Sequence, residues 1–395
     1  MSPFAADSLA GRREIETPAY VFDEAAILAN LAALGELAKR AGLVTLYSLK
    51  AACQRELLAL IGPGVGGFSV SSLFEARLAE SVATAGQLIH LISPRIRAAE
   101  IRELAGCRRG ALSFNSLEQL RRLRPECPPS LEVGLRVNPG LSLVEDERYD
   151  PCRRHSKLGA PLAQLRAALD AGDDLVASLA GLHVHTNCEA TAYDGLLATV
   201  RQLVATVPDL LARLRWINLG GGYLFAEVAD SASLLGAVEL LRSQARCTLL
   251  FEPGAGLVQT GASLVSEVID LFERDGLNVA VLDASVCHWP EVFEYQFQPD
   301  LEGDVEGGRC EYLVAGCSCL AGDVFGRYAF AEPLAVGSRV VFSRAGAYSL
   351  VKESYFNGLS LPSVYWRRRD GMLVLTRRLG YEDFAARNGA LRHVG

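Results

Sequence analysis

The sequence predicts a parallel α/β barrel followed by a smaller all-β domain, and three observations carry that expectation. Between residues 42 and 256 about eight short apolar runs alternate with helical segments. Regular β/α alternation builds a parallel sheet, and eight units suggest closure into a barrel. After about residue 262 the periodicity changes: strand-like runs are separated by Gly and Pro turns and helical spacing is weak. A doubly wound sheet is the alternative for the first part, but no GxGxxG follows its first strand. The barrel is placed at residues 25–261.

Thr17 to Asp23 is expected as a short strand leading into an acidic helix start. Glu24 to Arg40 carries Ala and Leu at helical spacing, and Gly42 closes it. The run Leu46-Tyr47-Ser48-Leu49-Lys50-Ala51 is the next strand, with a helix from about Gln54 to Leu60. Further strands are expected at 66–70, 88–93, 111–116, 131–139, 180–186, 216–220 and 248–252, with a long polar loop from 139 to Gly159. In the second domain the strand-like runs are 265–271, 279–282, 310–314, 339–342 and 373–375. They make up a domain of roughly 130 residues, an ordinary size.

Composition narrows the function classes. Half of the 395 residues are hydrophobic, which supplies a large core. The net charge of −7 is dispersed rather than blocked, which argues against nucleic acid and anionic membrane surfaces as partners. No apolar run approaches a membrane span, and Met1 to Arg13 lacks the basic start and apolar centre of a signal peptide. Ten cysteines with irregular spacing and no CxxC pair read as reduced thiols in a cytoplasmic protein.

Residues at the C-terminal ends of barrel strands face the active site. Lys50, Ser69, Asn115, Arg136, His183, His185, Gly220 to Gly222 and Glu252 all fall there. A lysine ending a buried strand can present a desolvated, nucleophilic amine; a snorkelling strand-end lysine is the plainer alternative. Three consecutive glycines after a strand can cradle a phosphate with backbone N–H groups, or form a tight turn. A carboxylate at the mouth, Glu252, can keep a pyridinium nitrogen protonated. His183 and His185 alternate on a strand and project to one side. They read either as zinc ligands or as a ring stacked on an aromatic cofactor with its support. Later strand ends supply no further histidine, since His90, His155, His288 and His393 lie elsewhere. No metal is therefore expected. In the second domain, Gly316 to Asp323 couples thiols to an acid in one loop, and Gly346-Ala347-Tyr348 and Phe356-Asn357-Gly358 are aromatic loop motifs.

Together these motifs resemble the fold-type III, alanine racemase-like pyridoxal 5'-phosphate (PLP) decarboxylases, and within them the carboxynorspermidine/carboxyspermidine decarboxylases. The markers run in order from Tyr47-Ser48-Leu49-Lys50-Ala51 through Ser71 to Glu75, Phe114-Asn115-Ser116, Leu135 to Pro139, and Tyr149 to Cys152 with Ser156 to Gly159. They continue through Gly181 to Glu189, the glycine triplet, Glu252-Pro253-Gly254, Ser318 to Asp323, and Val351-Lys352 leading to Phe356-Asn357-Gly358. The resemblance implies a PLP-binding (β/α)8 barrel and a β-sandwich or β-barrel domain made of residues 1–24 and 262–395. Lys50 would hold the cofactor's aldehyde, and His185 would stack on its ring. Glu252 would face the ring nitrogen. Gly220, Gly221 and Gly222 with Tyr348 would hold the phosphate, and Arg136 would support the cofactor. Cys319 resembles the thiol that returns a proton to carbon, in a loop that reaches a neighbouring subunit's site. A homodimer with shared active sites is implied.

The implied activity is decarboxylation of a carboxypolyamine-type amino acid, giving norspermidine or spermidine. Asp283, His288, Glu291, Glu294 and Asp323 are candidates for the substrate end, because buried amines require paired carboxylates. Departures from the family pattern gather at that end. Ala255 stands where relatives carry arginine or an acid, and Trp289 where Met is usual. Glu291 replaces Asp, and Glu353-Ser354-Tyr355 replaces threonines. The alternatives are a decarboxylase of another basic or specialised amino acid, a racemase on the same fold, and a non-catalytic PLP-binding protein.

Overall fold

The computed structural model describes residues 8–107 and 109–390. The first seven residues and His393 lie outside the described residues. The chain divides into two units, residues 29–257 and a second formed by residues up to 28 together with 258 onward.

The first unit contains strands β2 to β10; β1 (Ala19–Asp23) belongs to the second. In chain order they are β2 (Val44–Ser48), β3 (Gly67–Val70), β4 (Leu88–Ile92), β5 (Gly110–Phe114) and β6 (Glu132–Asn138). The two-residue β7 (Ala160–Pro161), β8 (Gly181–Val184), β9 (Trp216–Asn218) and β10 (Thr248–Phe251) follow. Apart from β7, which pairs only with the end of β6, each strand is parallel to its neighbours, and β10 pairs back onto β2. The eight-stranded sheet is thereby closed. Its floor is filled by Leu46, Leu88, Ala111, Trp216 and Leu250. The Trp216 indole occupies the space beside two glycines: a Cβ on Gly181 would lie 2.1 Å from it and one on Gly134 2.3 Å.

Helices follow the strands with ordinary local chemistry. Ser72 and Ser116, just beyond β3 and β5, accept hydrogen bonds from the N–H groups of Glu75 and Gln119 and so start the next helices. The helix Glu24–Ala41 has Glu24 in its first turn and Lys39 and Arg40 in its last, which complements its dipole. Gly42 leaves it in the left-handed region at φ 64°.

In the second unit β1 lies between β11 (Ala262–Arg274) and β16 (Ser363–Arg367), antiparallel to the first and parallel to the second. β12 (Leu277–Leu282), β13 (Cys310–Ala315) and β14 (Val324–Phe330) extend one side of the sheet, and β17 (Leu373–Arg377) ends the other. β15 (Arg339–Phe342) pairs with the first half of β11. β11 changes register between Val268 and Asp270, and beyond that point it pairs with β12. Stacked pairs Phe22–Trp366 and Phe325–Phe342 anchor the core, with ring centroids 5.3 and 4.7 Å apart.

The expected strands of this unit are present, but β14 and β16 were not anticipated. Gly326 and Arg327 break the apolar alternation of β14, whose glycine has φ 154°. β16 is a five-residue run directly after Pro362, and its partner β1 is more than three hundred residues away in sequence. No helix among the described residues is long and apolar enough to cross a membrane. None of the ten cysteines is in a disulfide.

Candidate active site

Ser69, Arg136 and His183 lie on the last residues of their strands, and the other polar residues of the barrel gather just past the strand ends. Lys50 follows β2, His185 follows β8, Gly220 follows β9 and Glu252 follows β10. The strands are one to three residues shorter than the apolar runs that suggested them, because the chain stays buried at the barrel mouth after the ladder ends.

Glu252 is 5 % exposed and lies at the centre of this group. Its Oε1 accepts a hydrogen bond from Asn218 Nδ2 at 2.8 Å, and its Oε2 lies 3.6 Å from His183 Nε2. Burial pushes the carboxyl up. The imidazoles of His183, His90 and His185 act more strongly in the other direction and hold it below the usual carboxylate range. The three rings are themselves shifted down by burial, His90 to about 3. His183, His185 and Glu252 each offer an atom within 4.8 Å of the others. That spacing alone admits a divalent cation as well as an aromatic cofactor.

Lys50 is solvent-accessible yet packed round by protein, as a side chain on the floor of a cleft is. Burial lowers its pKa first, and the Arg136 guanidinium lowers it further; Glu252, Cys188 and Glu75 oppose the shift without cancelling it. Arg136 is half-buried and pushed down to about 10 by desolvation. Neither cation makes an ion pair or a hydrogen bond among the described residues. Two desolvated cations with one carboxylate nearby form a site suited to an electrophilic, anionic ligand.

The glycine triplet has no room for side chains. A Cβ on Gly221 would lie 1.9 Å from the Glu252 carbonyl oxygen, and Gly220 and Gly222 have φ of 68° and 86°. Gly220 N–H donates to Asn218 Oδ1 at 2.9 Å and Gly221 N–H to His185 Nδ1 at 3.2 Å. Among the described residues Gly222 N–H has no partner in the protein, which leaves it for a ligand oxygen. A narrow backbone cradle, a lysine of lowered pKa and an ionised buried carboxylate fit the phosphate, aldehyde and ring nitrogen of PLP.

The remaining candidates belong to the second unit. Asp323, 3 % exposed, accepts hydrogen bonds from Ser285 Oγ, Val286 N and Ser318 N, each at 2.8 Å. Its carboxylate is thus used in shaping the 316–323 loop. On that loop Cys319 is exposed, and its N–H donates to Asn357 Oδ1 at 2.7 Å. Asp283 accepts from Ser266 Oγ at 2.6 Å and from Glu267 N at 2.9 Å. His288 is buried and lowered to about 4 by desolvation, and its Nδ1 accepts from Ser285 N. Glu291 and Glu294, on the helix Pro290–Tyr295, both pair with Lys352. Tyr348 sits in a left-handed turn at φ 53°.

Asn218, His90 and Ser113 join the site without having been singled out. An asparagine before a glycine run reads as a turn former, and a histidine inside Leu-Ile-His-Leu-Ile reads as a lone core polar group. Only barrel closure brings residues 90 and 218 within 3.1 Å.

A closed parallel barrel with a lysine, a buried carboxylate and a glycine cradle at its mouth, accompanied by a β unit, defines the class of PLP enzymes built on a (β/α)8 barrel. Residues 27–259 match the family model of the pyridoxal-dependent decarboxylase pyridoxal-binding domain. The chain belongs to this family and is a PLP-dependent decarboxylase. Carboxyaminopropylagmatine decarboxylase of Synechocystis sp. is 32 % identical over 98 % of this chain and 100 % of the relative. Carboxynorspermidine/carboxyspermidine decarboxylase of Campylobacter jejuni is 29 % identical over 95 % and 99 %. The crystal structure of the carboxynorspermidine decarboxylase from Campylobacter jejuni, complexed with norspermidine, superposes with a TM-score of 0.84 at 27 % identity, covering 95 % of this chain and 100 % of that one.

Proposed function

We propose that the protein removes the carboxylate from a carboxylated polyamine, with carboxynorspermidine or carboxyspermidine as substrate and norspermidine or spermidine as product. The observation that carries the chemistry is a pKa-lowered Lys50 amine on the floor of the same cleft whose buried wall holds an ionised Glu252. PLP, when bound, supplies a protonatable ring into which the electron pair left by departing carbon dioxide spreads. Lys50 would hold its aldehyde and be exchanged for the substrate's amine. Glu252 would face the ring nitrogen, His185 would lie against the ring, and Arg136 would support the cofactor. The 220–222 cradle and Tyr348 would hold the phosphate. Cys319 would deliver the proton that completes the product. Glu291 and Glu294 supply two carboxylates on one short helix for the distal ammonium groups, exchanging Lys352 for substrate; Asp283, His288 and Asp323 would border that end. The chain would act as a homodimer in which the Cys319 loop serves the partner's site. Ten cysteines outside any disulfide suit a cytoplasmic setting.

A second reading, a carboxypolyamine ending in a guanidinium, is favoured by the 32 % identical Synechocystis relative and by Trp289 and Glu291 at the substrate end. A planar guanidinium pairs well with two carboxylates. A panel of carboxynorspermidine, carboxyspermidine, carboxyaminopropylagmatine, ornithine, lysine and diaminopimelate, with products identified by mass, tests both readings. The kcat/KM should be highest for a carboxypolyamine. Preference for ornithine, lysine or diaminopimelate would refute the proposal.

A further inference from the structure

We propose that Asn218, locked in place by His90 and Ser113, is a positioning residue that keeps the Glu252 carboxylate ionised, so that a proton shared with the cofactor's ring nitrogen stays on the nitrogen. The proposal rests on the PLP reading of the site and assigns a role to three residues that take no part in the reaction themselves.

The hydrogen bonds around Asn218 admit one arrangement. Gly220 N–H donates to one end of the amide, which must therefore be the oxygen. The nitrogen then supplies two hydrogens, one to Glu252 Oε1 at 2.8 Å and one to His90 Nδ1 at 3.1 Å. His90 Nδ1 must accept, so its proton sits on Nε2 and is donated to Ser113 Oγ at 2.9 Å. Protonating His90 would place two N–H groups face to face, and burial against Trp216, 4.8 Å away between ring centroids, opposes that charge as well. All four groups are fully or nearly buried, so the amide cannot exchange its partners for water.

The consequence falls on Glu252. A donor aimed at a carboxylate oxygen lowers that oxygen's proton affinity. The other charged or titratable groups facing Glu252 are His183, His185, Lys50 and Arg136. Of these, His183 comes within 3.6 Å, outside hydrogen-bond distance. Removing the Asn218 donor therefore lets the carboxyl compete for the proton and leaves the ring neutral, a weaker electron sink. Gly220, whose N–H fixes the amide, is also the first residue of the cradle. One side chain thus ties the phosphate end of the site to the ring-nitrogen end.

The test uses holoenzyme loaded with PLP labelled with 15N in the ring. The ring-nitrogen signal should be that of a protonated ring in the wild type and should move toward the neutral position in Asn218→Asp. That variant keeps an acceptor for Gly220 N–H but replaces the amide donor with a second carboxyl, and two buried carboxyls in contact hold a proton between them, which raises the proton affinity of Glu252. The variant's kcat should fall about tenfold or more with KM changed less than about threefold, because the lost hydrogen bond acts on charge development. Should Asn218→Asp not accumulate, Asn218→Leu, which removes the amide donor without adding a charge, should move the signal in the same direction. A protonated ring in wild type and variant alike, or a neutral ring in the wild type, overturns the relay. Absence of any bound, labelled cofactor in the wild type overturns the PLP reading instead.

Discussion

At the residue scale the chemistry is set by what surrounds each charge. Lys50 keeps a lowered pKa because burial and Arg136 together outweigh the attraction of Glu252. Glu252 stays ionised in the same cluster because four polar side chains converge on it from β4, β8 and β9 or just beyond them. Cys319 is exposed on a loop whose shape depends on Asp323 and Asn357. If it delivers the final proton, Cys319→Ala should lower kcat by about 10² to 10⁴, with the absorbance of the bound cofactor unchanged. Wild-type turnover in that variant would assign the proton transfer elsewhere. Lys50 and Glu252 were legible because each ends an apolar run with a functional group. Asn218 and His90 were not, because their meaning lies in a hydrogen bond across 128 positions of sequence.

At the element scale the glycine triplet and its neighbouring strand end form a single device. Gly221 packs against the Glu252 backbone so closely that a methyl group would collide with its carbonyl oxygen at 1.9 Å. Gly221→Ala should therefore displace Glu252 and the cradle together. The expected result is a rise of at least about tenfold in the PLP dissociation constant, which titration of the apoenzyme would measure, because a backbone clash cannot be relieved by a rotamer change. Most strands were legible from apolar runs bounded by turns. At the other barrel strands the apolar pattern runs one to three residues past the ladder, since the buried chain at a barrel mouth continues it, while β3 ends where its run does. β14 and β16 escaped because a glycine interrupts one and a distant partner defines the other.

For the whole molecule, buried neutral histidines should make stability depend on pH. His90 and His288 are held at about 3 and about 4 by burial, against an ordinary value of 6.5. Below the ordinary value the unfolded chain takes up the protons and the folded chain does not. The apoenzyme should therefore lose stability as pH falls from about 6.5 toward 4, by up to about 1.4 kcal/mol per pH unit for each histidine. Urea melts across that range should show a shallower loss in His288→Gln. The proposed sharing of active sites makes a separate prediction at this scale. Mixing inactive Lys50→Ala and Cys319→Ala proteins should restore about a quarter of wild-type activity per subunit if exchange is random; no recovery, despite proven subunit exchange, would place both residues in one chain's own site. The two-part architecture was legible from the change in periodicity near residue 262. The closure of the barrel rested on a count of strands that only the pairing of β10 with β2 makes physical.

Lys50 is the residue proposed to carry the cofactor. Borohydride reduction of the PLP-loaded enzyme, followed by peptide mass mapping, tests this directly. The pyridoxyl adduct should be found on Lys50 and should be missing from Lys50→Ala. An adduct on Lys157 or Lys352, or undiminished covalent labelling in Lys50→Ala, would contradict it.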